Sequence, residues 1–364
     1  RIKHLIRQHG IVCFSSNYAL YGDISQRVMS TLESLAPQVE LYSIDEAFVD
    51  LSGMSNQGSL FEIGQRMRQQ VYQWTGIATC VGVAPTKTLA KLANHAAKQY
   101  PPTGGVVDLT EPKRQRRLMA LTPVREVWGI GRKLGERLNG LGIETAVQLA
   151  DADARWIRRH FSVVVERTVL ELNGQSCAGM VEDIPARQQI LCSRSFGDAV
   201  TDLVGMREAI TSFVSRGAEK LRQQNQKAKQ LSVFIRSCPY RDGAQFYSNS
   251  LSTELLEPTS DTRQLAQAAH SALKRIWRDG RAYKKAGIML SELYGAGMWQ
   301  TDMFSPNGET EKSEALMQTI DRINQKGLGR IFLAAQGTQP SWHMKREHLS
   351  PAYTTDWKAL PIVR

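Results

Sequence analysis

The sequence predicts a multidomain α+β protein, and three observations carry that expectation. The chain has 364 residues, too many for one ordinary core. Segments of alternating apolar and polar residues are interleaved with segments of helical apolar spacing. A basic, helix-like stretch separates an earlier α+β pattern from a later one.

Taken in order, the opening RIKHLIRQHGIVCF has no initiator Met and sets Ile2, Leu5 and Ile6 at helical spacing. It reads as the middle of an element, and it lacks the continuous apolar core of a signal peptide. Residues 16–35 start with capping-type residues and place Tyr21, Ile24, Val28, Leu32 and Leu35 on one helical face, which Pro37 ends. VELYSIDEAFVDLS reads as two short strands with Ile44, Asp45 and Glu46 near their turn. A helix from Leu60 to Trp74, a strand in IATCVGVAP, a helix starting at Thr86 and a strand opening at Gly104 complete one sheet with helices on one face.

After Thr110 the chain turns basic and helical: residues 113–137 hold eight Lys/Arg against two Glu. That module runs to about Gly179, and Pro185 with ARQQ reads as a linker. From Ile190 to Tyr294 strand-like LCSRSF, LSVFIRS, FYSNSLST and AGIMLSEL surround two helices. From Gly295 onward Gly, Ser, Asn and Pro point to a loop-rich tail.

Composition narrows the partners. The net charge is +11, which makes a polyanion the default partner and ranks nucleic acid ahead of membranes. No apolar run approaches the length of a membrane span. Five scattered cysteines without a CxxC pair argue against a disulfide framework or metal knuckle and fit a reducing cytoplasm. No histidine spacing suits a metal, and His343 and His348 read as surface residues.

Four motifs carry chemistry. Ser43-Ile44-Asp45-Glu46-Ala47-Phe48 sets two carboxylates at a bend inside apolar sequence, where both can face one hard cation. On residue type alone such a pair is also an ordinary solvated turn. Gly82 to Lys98 ends a strand in small residues and opens a lysine-bearing helix, which suits phosphate and equally suits a solvated amphipathic helix. Trp128-Gly129-Ile130-Gly131-Arg132-Lys133-Leu134-Gly135 has the spacing of a helix-hairpin-helix. Its glycines admit backbone N–H groups to a phosphate and Arg132 and Lys133 add charge, against the plainer reading of a helix connection. Gln300-Thr301-Asp302-Met303-Phe304 can dock as an extended peptide, or is simply tail.

In this order the motifs resemble those of Y-family DNA polymerases, and within them the UmuC-like branch. The palm signature is similar to Tyr21-Gly22-Asp23-Ile24-Ser25 followed by Ser43-Ile44-Asp45-Glu46-Ala47. CSRSFG with Arg194, and KKAGIMLSEL with Lys284 and Lys285, resemble DNA-binding strands of the family's little finger. Gln336-Gly337, Trp342 to Arg346 and Leu349-Ser350-Pro351 are similar to the UmuC-type tail.

The resemblance implies a right-hand architecture: partial fingers and palm over 1–118, thumb over 119–184, little finger over 185–294, and clamp-binding peptide with tail over 295–364. It implies translesion synthesis in an SOS response by two-Mg²⁺ nucleotidyl transfer. Asp45 and Glu46 would hold the ions, Ser43 and Lys98 would face the nucleotide, and Gly129, Gly131, Arg132 and Lys133 would grip duplex. Gln300, Met303 and Phe304 would bind the sliding clamp. Implied partners are primer-template DNA, damaged template included, dNTPs, a UmuD′-like accessory dimer and a RecA-like filament, in the cytoplasm at the nucleoid. One departure stands out: no DxxxF segment precedes Tyr21, most of the fingers is missing, and Asp23 lies inside the helix. The expectation is therefore a truncated chain that binds DNA and polymerises weakly or not at all. The alternatives are a non-catalytic binding relative, or a helix-hairpin-helix nuclease or repair scaffold.

Overall fold

A computed structural model describes residues 2–181, 187–238, 246–295, 298, 311–326, 329–338, 342–360 and 362. The chain forms two compact units, residues 1–184 with 348–364, and residues 185–347.

The first unit opens with α1 (Lys3–Gln8) and α2 (Tyr18–Glu33). The Asn17 side chain caps α2 by accepting from Leu20 N at 3.3 Å, satisfying one of the free N–H groups of a helix start. An antiparallel pair follows, β1 (Gln38–Leu41) and β2 (Ala47–Asp50), in register Gln38↔Asp50 to Leu41↔Ala47. Next come α3 (Leu60–Thr75), started by a Ser59/Glu62 capping box, β3 (Val81–Val83), α4 (Lys87–Gln99) and β4 (Val106–Asp108).

The strands depart from the expected single sheet. β1 pairs with β2 and, separately, β3 pairs in parallel with β4. Residues of both β2 and β3 line one cavity of about 1190 Å³, so the two pairs flank a space instead of hydrogen-bonding to each other. Gly82 is fixed by the packing of α4 on β3: a Cβ there would stand 2.3 Å from the Ala90 carbonyl oxygen and the Asn94 nitrogen.

Five helices follow: α5 (Pro112–Leu121), α6 (Arg132–Asn139), α7 (Ala146–Asp151), α8 (Ala154–His160) and α9 (Val163–Leu172). Leu89, Leu92, Met119, Leu138, Leu149, Ile157 and Leu172 are buried in one cluster that joins α4 to these helices. Buried Glu171 accepts from Thr88 N (2.9 Å), Cys177 N (3.2 Å) and Ala178 N (3.1 Å), so its carboxylate takes up the free N–H at the start of α4. The end of the chain returns to this unit's beginning. Ser15 bridges Leu349, Ser15 N donates to the His348 carbonyl at 2.7 Å, and Asn17 Nδ2 donates to the Ser350 carbonyl at 3.2 Å.

The second unit contains β5 (Ile190–Val200), α10 (Leu203–Gln223), β6 (Gln226–Ser237), β7 (Ser248–Thr259), α11 (Thr262–Ile276) and β8 (Tyr283–Gly295). The sheet is antiparallel, order β5-β8-β6-β7. Ile190, Leu231, Val233, Ile235, Ile288 and Leu290 face α10 and α11, whose Ile210, Val214, Leu265 and Leu273 complete the core.

The tail is less loop-like than its composition suggests. Within it α12 (Glu311–Gln325) is held by Arg222, which makes a two-pronged contact with Asp321 at 2.6 and 2.8 Å. Further on, Trp342 is 5% exposed, packed edge-on against Phe196 and Phe213. Apolar anchors inside the tail give it partners despite the Gly, Ser and Pro around them. The five cysteines are free thiols. No helix among the described residues is long and apolar enough to cross a membrane.

Candidate active site and nucleic-acid interface

The acidic residues sit in the turn between β1 and β2, where side chains no longer alternate as on a strand. Tyr42 N and Ser43 N both donate to the Glu46 carbonyl, at 3.1 and 3.0 Å, closing the turn. The Ser43 hydroxyl donates to Asp45 Oδ1 at 2.6 Å, and the Ser25 hydroxyl on α2 donates to the Ile44 carbonyl. Ser25 thus pins the turn to the helix, which gives the spacing between residues 21–25 and 43–47 a structural reason. Asp45 and Glu46 both line the cavity, with Tyr21, Ile24, Lys91 and Lys98.

The lysines of α4 divide their work. Lys91 Nζ meets Glu46 Oε1 at 2.6 Å and lies 5.5 Å from the Tyr42 ring. Lys87 Nζ meets Glu40 Oε2 at 2.6 Å, donates to the Gly179 carbonyl at 2.8 Å and lies 5.1 Å from the Phe48 ring. Lys98 is exposed at the far end of the helix and still borders the cavity. Asp23 is absent from the cavity lining. A hydrogen bond from Thr354, and then the Arg27 guanidinium, holds its carboxyl below the usual range.

Among the described residues no group of three or more His, Cys, Asp or Glu could hold a metal by itself. At the turn itself the donors are the two carboxylates of Asp45 and Glu46, the latter paired with Lys91. Mg²⁺ commonly takes one or two protein carboxylates and completes its shell with phosphate and water. The pair fits an ion carried in on a nucleotide and does not fit a self-sufficient metal site.

In the helical module, Gly129 has φ +87°, a conformation that favours glycine, and Gly131 is the N-cap of α6. Both are exposed, as are Arg132 and Lys133, with the Arg132 side chain 86% exposed. Gly135 is buried where a Cβ would stand 3.1 Å from Arg125 Cβ, so its absence permits the close helix contact. Trp128 Nε1 donates to the Tyr42 hydroxyl at 3.2 Å, and the rings of Tyr42, Phe48 and Trp128 lie 5.6–5.8 Å apart.

In the second unit the sheet face away from the helices carries Lys285, in register with Ser195 on one side and Arg236 on the other. Arg236, which sequence reasoning did not single out, lies 5.8 Å from the Phe234 ring. Only the strand register reveals that neighbour. Lys284 Nζ donates to the Gly197 carbonyl at 2.6 Å. Arg194 is exposed midway along β5, paired with Ala286 and so on the opposite face from Lys285. Gln300, Met303 and Phe304 lie outside the described residues.

The architecture is that of Y-family DNA polymerases. A Y-family DNA polymerase chimera of Dbh and Dpo4 superposes with a TM-score of 0.57 at 21% identity, covering 77% of this chain and 78% of that one. The chain belongs to the impB/mucB/samB family of these polymerases. The family's own model matches residues 1–95, its HHH motif 112–143 and its C-terminal domain 187–303, while a domain of unknown function matches 314–363. Protein UmuC of Salmonella typhimurium is 49% identical over 364 residues, all of this chain and 86% of that protein. Protein MucB of Escherichia coli is 47% identical over 362 residues, 100% of this chain and 86% of that protein. DNA polymerase IV of Moorella thermoacetica is 27% identical over 332 residues, 89% of this chain and 78% of that protein.

Proposed function

We propose that this chain carries the acidic turn, phosphate side and DNA grip of an error-prone translesion polymerase acting in an SOS-type DNA-damage response. The observation that carries the reading is the shared cavity: Asp45, Glu46, Lys91 and Lys98 all border it, and Ser25 fixes the turn from the opposite helix.

The reaction is nucleotidyl transfer, attack of a primer hydroxyl on the α-phosphate of a dNTP with departure of pyrophosphate. Asp45 and Glu46 would hold magnesium, which when bound neutralises phosphate charge at the reacting centre. Ser43 orients Asp45 through its 2.6 Å hydrogen bond. Lys98 faces the triphosphate from the end of α4. Gly129, Gly131, Arg132 and Lys133 hold primer-template by its backbone, which positions duplex without reading sequence. In the second unit Lys285 and Arg236, neighbours in register on the open face of its sheet, offer a separate contact to DNA backbone.

The clamp segment at Gln300, Met303 and Phe304, an accessory UmuD′-like dimer and a RecA-like filament are proposed on resemblance to the family. So are the four segments ending at 118, 184, 294 and 364, with fingers and palm, thumb, little finger and tail in that order.

Primer extension across an abasic site with Mg²⁺ tests the central claim. Asp45→Asn and Glu46→Gln abolish extension and leave duplex affinity nearly unchanged; normal extension by either refutes the site. A second reading, a DNA-binding module without turnover, is favoured by the Lys91 ammonium that already occupies Glu46 at 2.6 Å. On that reading the parent chain itself extends no primer while binding duplex.

A further inference from the structure

The acidic turn is held from three sides. Ser25 holds the Ile44 carbonyl from α2, and Lys91 holds Glu46 from α4. The third hold comes from the helix-hairpin-helix loop, where the Trp128 indole N–H donates to the Tyr42 hydroxyl at 3.2 Å. Tyr42 is itself part of the turn, since its backbone N–H closes onto the Glu46 carbonyl at 3.1 Å. The next residue after Trp128 is Gly129, at φ +87°, in the exposed stretch that offers its backbone and Arg132 to phosphate. One hydrogen bond and three mutually packed rings therefore separate a DNA-gripping loop from the catalytic carboxylates.

We propose that Trp128 and Tyr42 are positioning residues that couple the two sites: duplex held at residues 128–133 orders the Asp45–Glu46 turn through the Trp128–Tyr42 hydrogen bond. The proposal rests on the reading above that residues 129–133 bind duplex and that the acidic turn is the reactive one. Its physical basis is linkage. If phosphate contact favours one arrangement of the loop, and that arrangement fixes Tyr42, then DNA binding stabilises the closed turn by the same free energy. Neither residue touches the reacting atoms. The aromatic packing gives the link stiffness, and the Lys87 and Lys91 ammonium groups over Phe48 and Tyr42 hold those rings from the α4 side.

Hydrogen–deuterium exchange on the full chain, with and without a short primer-template duplex and without nucleotide or divalent cation, tests this independently of turnover. The compared chains are the unaltered one, Tyr42→Phe and Trp128→Phe, each of which keeps a ring and loses the hydrogen bond. In the unaltered chain duplex slows exchange over residues 42–48 by roughly fivefold or more, the lower end of ordinary coupling strengths. It also slows exchange over 129–135. In both variants protection over 129–135 persists while protection over 42–48 disappears. Equal protection of the turn in the variants, or none in the unaltered chain, overturns the link. Absence of protection at 129–135 in every chain overturns the DNA-grip reading beneath it, and the link with it. A failed acidic-site reading is distinguished separately, by Asp45→Asn extending primers normally.

Discussion

Lys91 sets what the acidic turn can do with a cation. Its ammonium, 2.6 Å from Glu46, neutralises part of the charge an incoming ion would meet and repels that ion directly. Lys91→Met therefore binds Mn²⁺ more tightly than the unaltered chain, by about fivefold for an effect of about 1 kcal/mol between nearby charges in water. Calorimetric titration reads the difference, and unchanged affinity would mean that Lys91 does not guard the pair. The presence of an acidic turn was legible from SIDEAF in apolar surroundings. Its occupancy by Lys91 was not, since the partners lie 45 residues apart and residue type says nothing of distant pairing. The Trp128–Tyr42 hydrogen bond, spanning 86 residues, was hidden for the same reason.

At the scale of elements, the helix-hairpin-helix and α11 carry separate expectations. Arg132 and Lys133 are exposed at the start of α6, and on the proposed duplex grip replacing both with Ala removes two phosphate contacts. The slope of log affinity against log salt then becomes shallower by about 1.8, at about 0.9 per contact. Fluorescence anisotropy across a salt series measures it, and an unchanged slope places the DNA elsewhere. In α11, His270 bonds Thr211 Oγ1 at 2.8 Å, and burial, then the Arg207 charge, pushes its imidazole below the ordinary value. Burial of the Asp261 carboxyl pushes it up, but hydrogen bonds from Arg263 and Ser313 outweigh this and hold it below the usual range. Both folded values are depressed, so both groups bind protons more readily when the chain is unfolded. Their stabilisation is present at higher pH and lost on acidification. The His270 part declines below about pH 6.5 and the Asp261 part below about pH 3.9, the unfolded values. Thermal unfolding of His270→Gln should lack the first decline and keep the second. Most element positions were legible from periodicity and caps. α12 was not, because glycine, serine and proline on either side masked a 15-residue helix that Arg222 ties to the second unit through Asp321.

At the scale of the whole molecule, the net charge of +11 fits a polyanion partner, and two α+β patterns flanking a helical stretch are legible in the sequence. The separation of β1–β2 from β3–β4 was not, because alternation identifies strands and leaves their partners open. The tail assignment carries its own expectation. On the proposed clamp contact Phe304→Ala should abolish retention by an immobilised sliding clamp while leaving duplex affinity intact, and undiminished retention would refute that assignment.

The Trp342 anchor has a consequence for biosynthesis. The strand it packs beside begins at Ile190, so about 150 residues must leave the ribosome before the indole can fill its place between Phe196 and Phe213. The bridge from Leu349 back to Ser15 comes later still, more than 330 residues after its first partner. A nascent chain stalled near residue 330 would display an unplugged hydrophobic hollow and an unclosed first segment, the kind of surface that recruits chaperones. Deletion of residues 331–364 should therefore lower soluble yield well beyond what so short a deletion suggests.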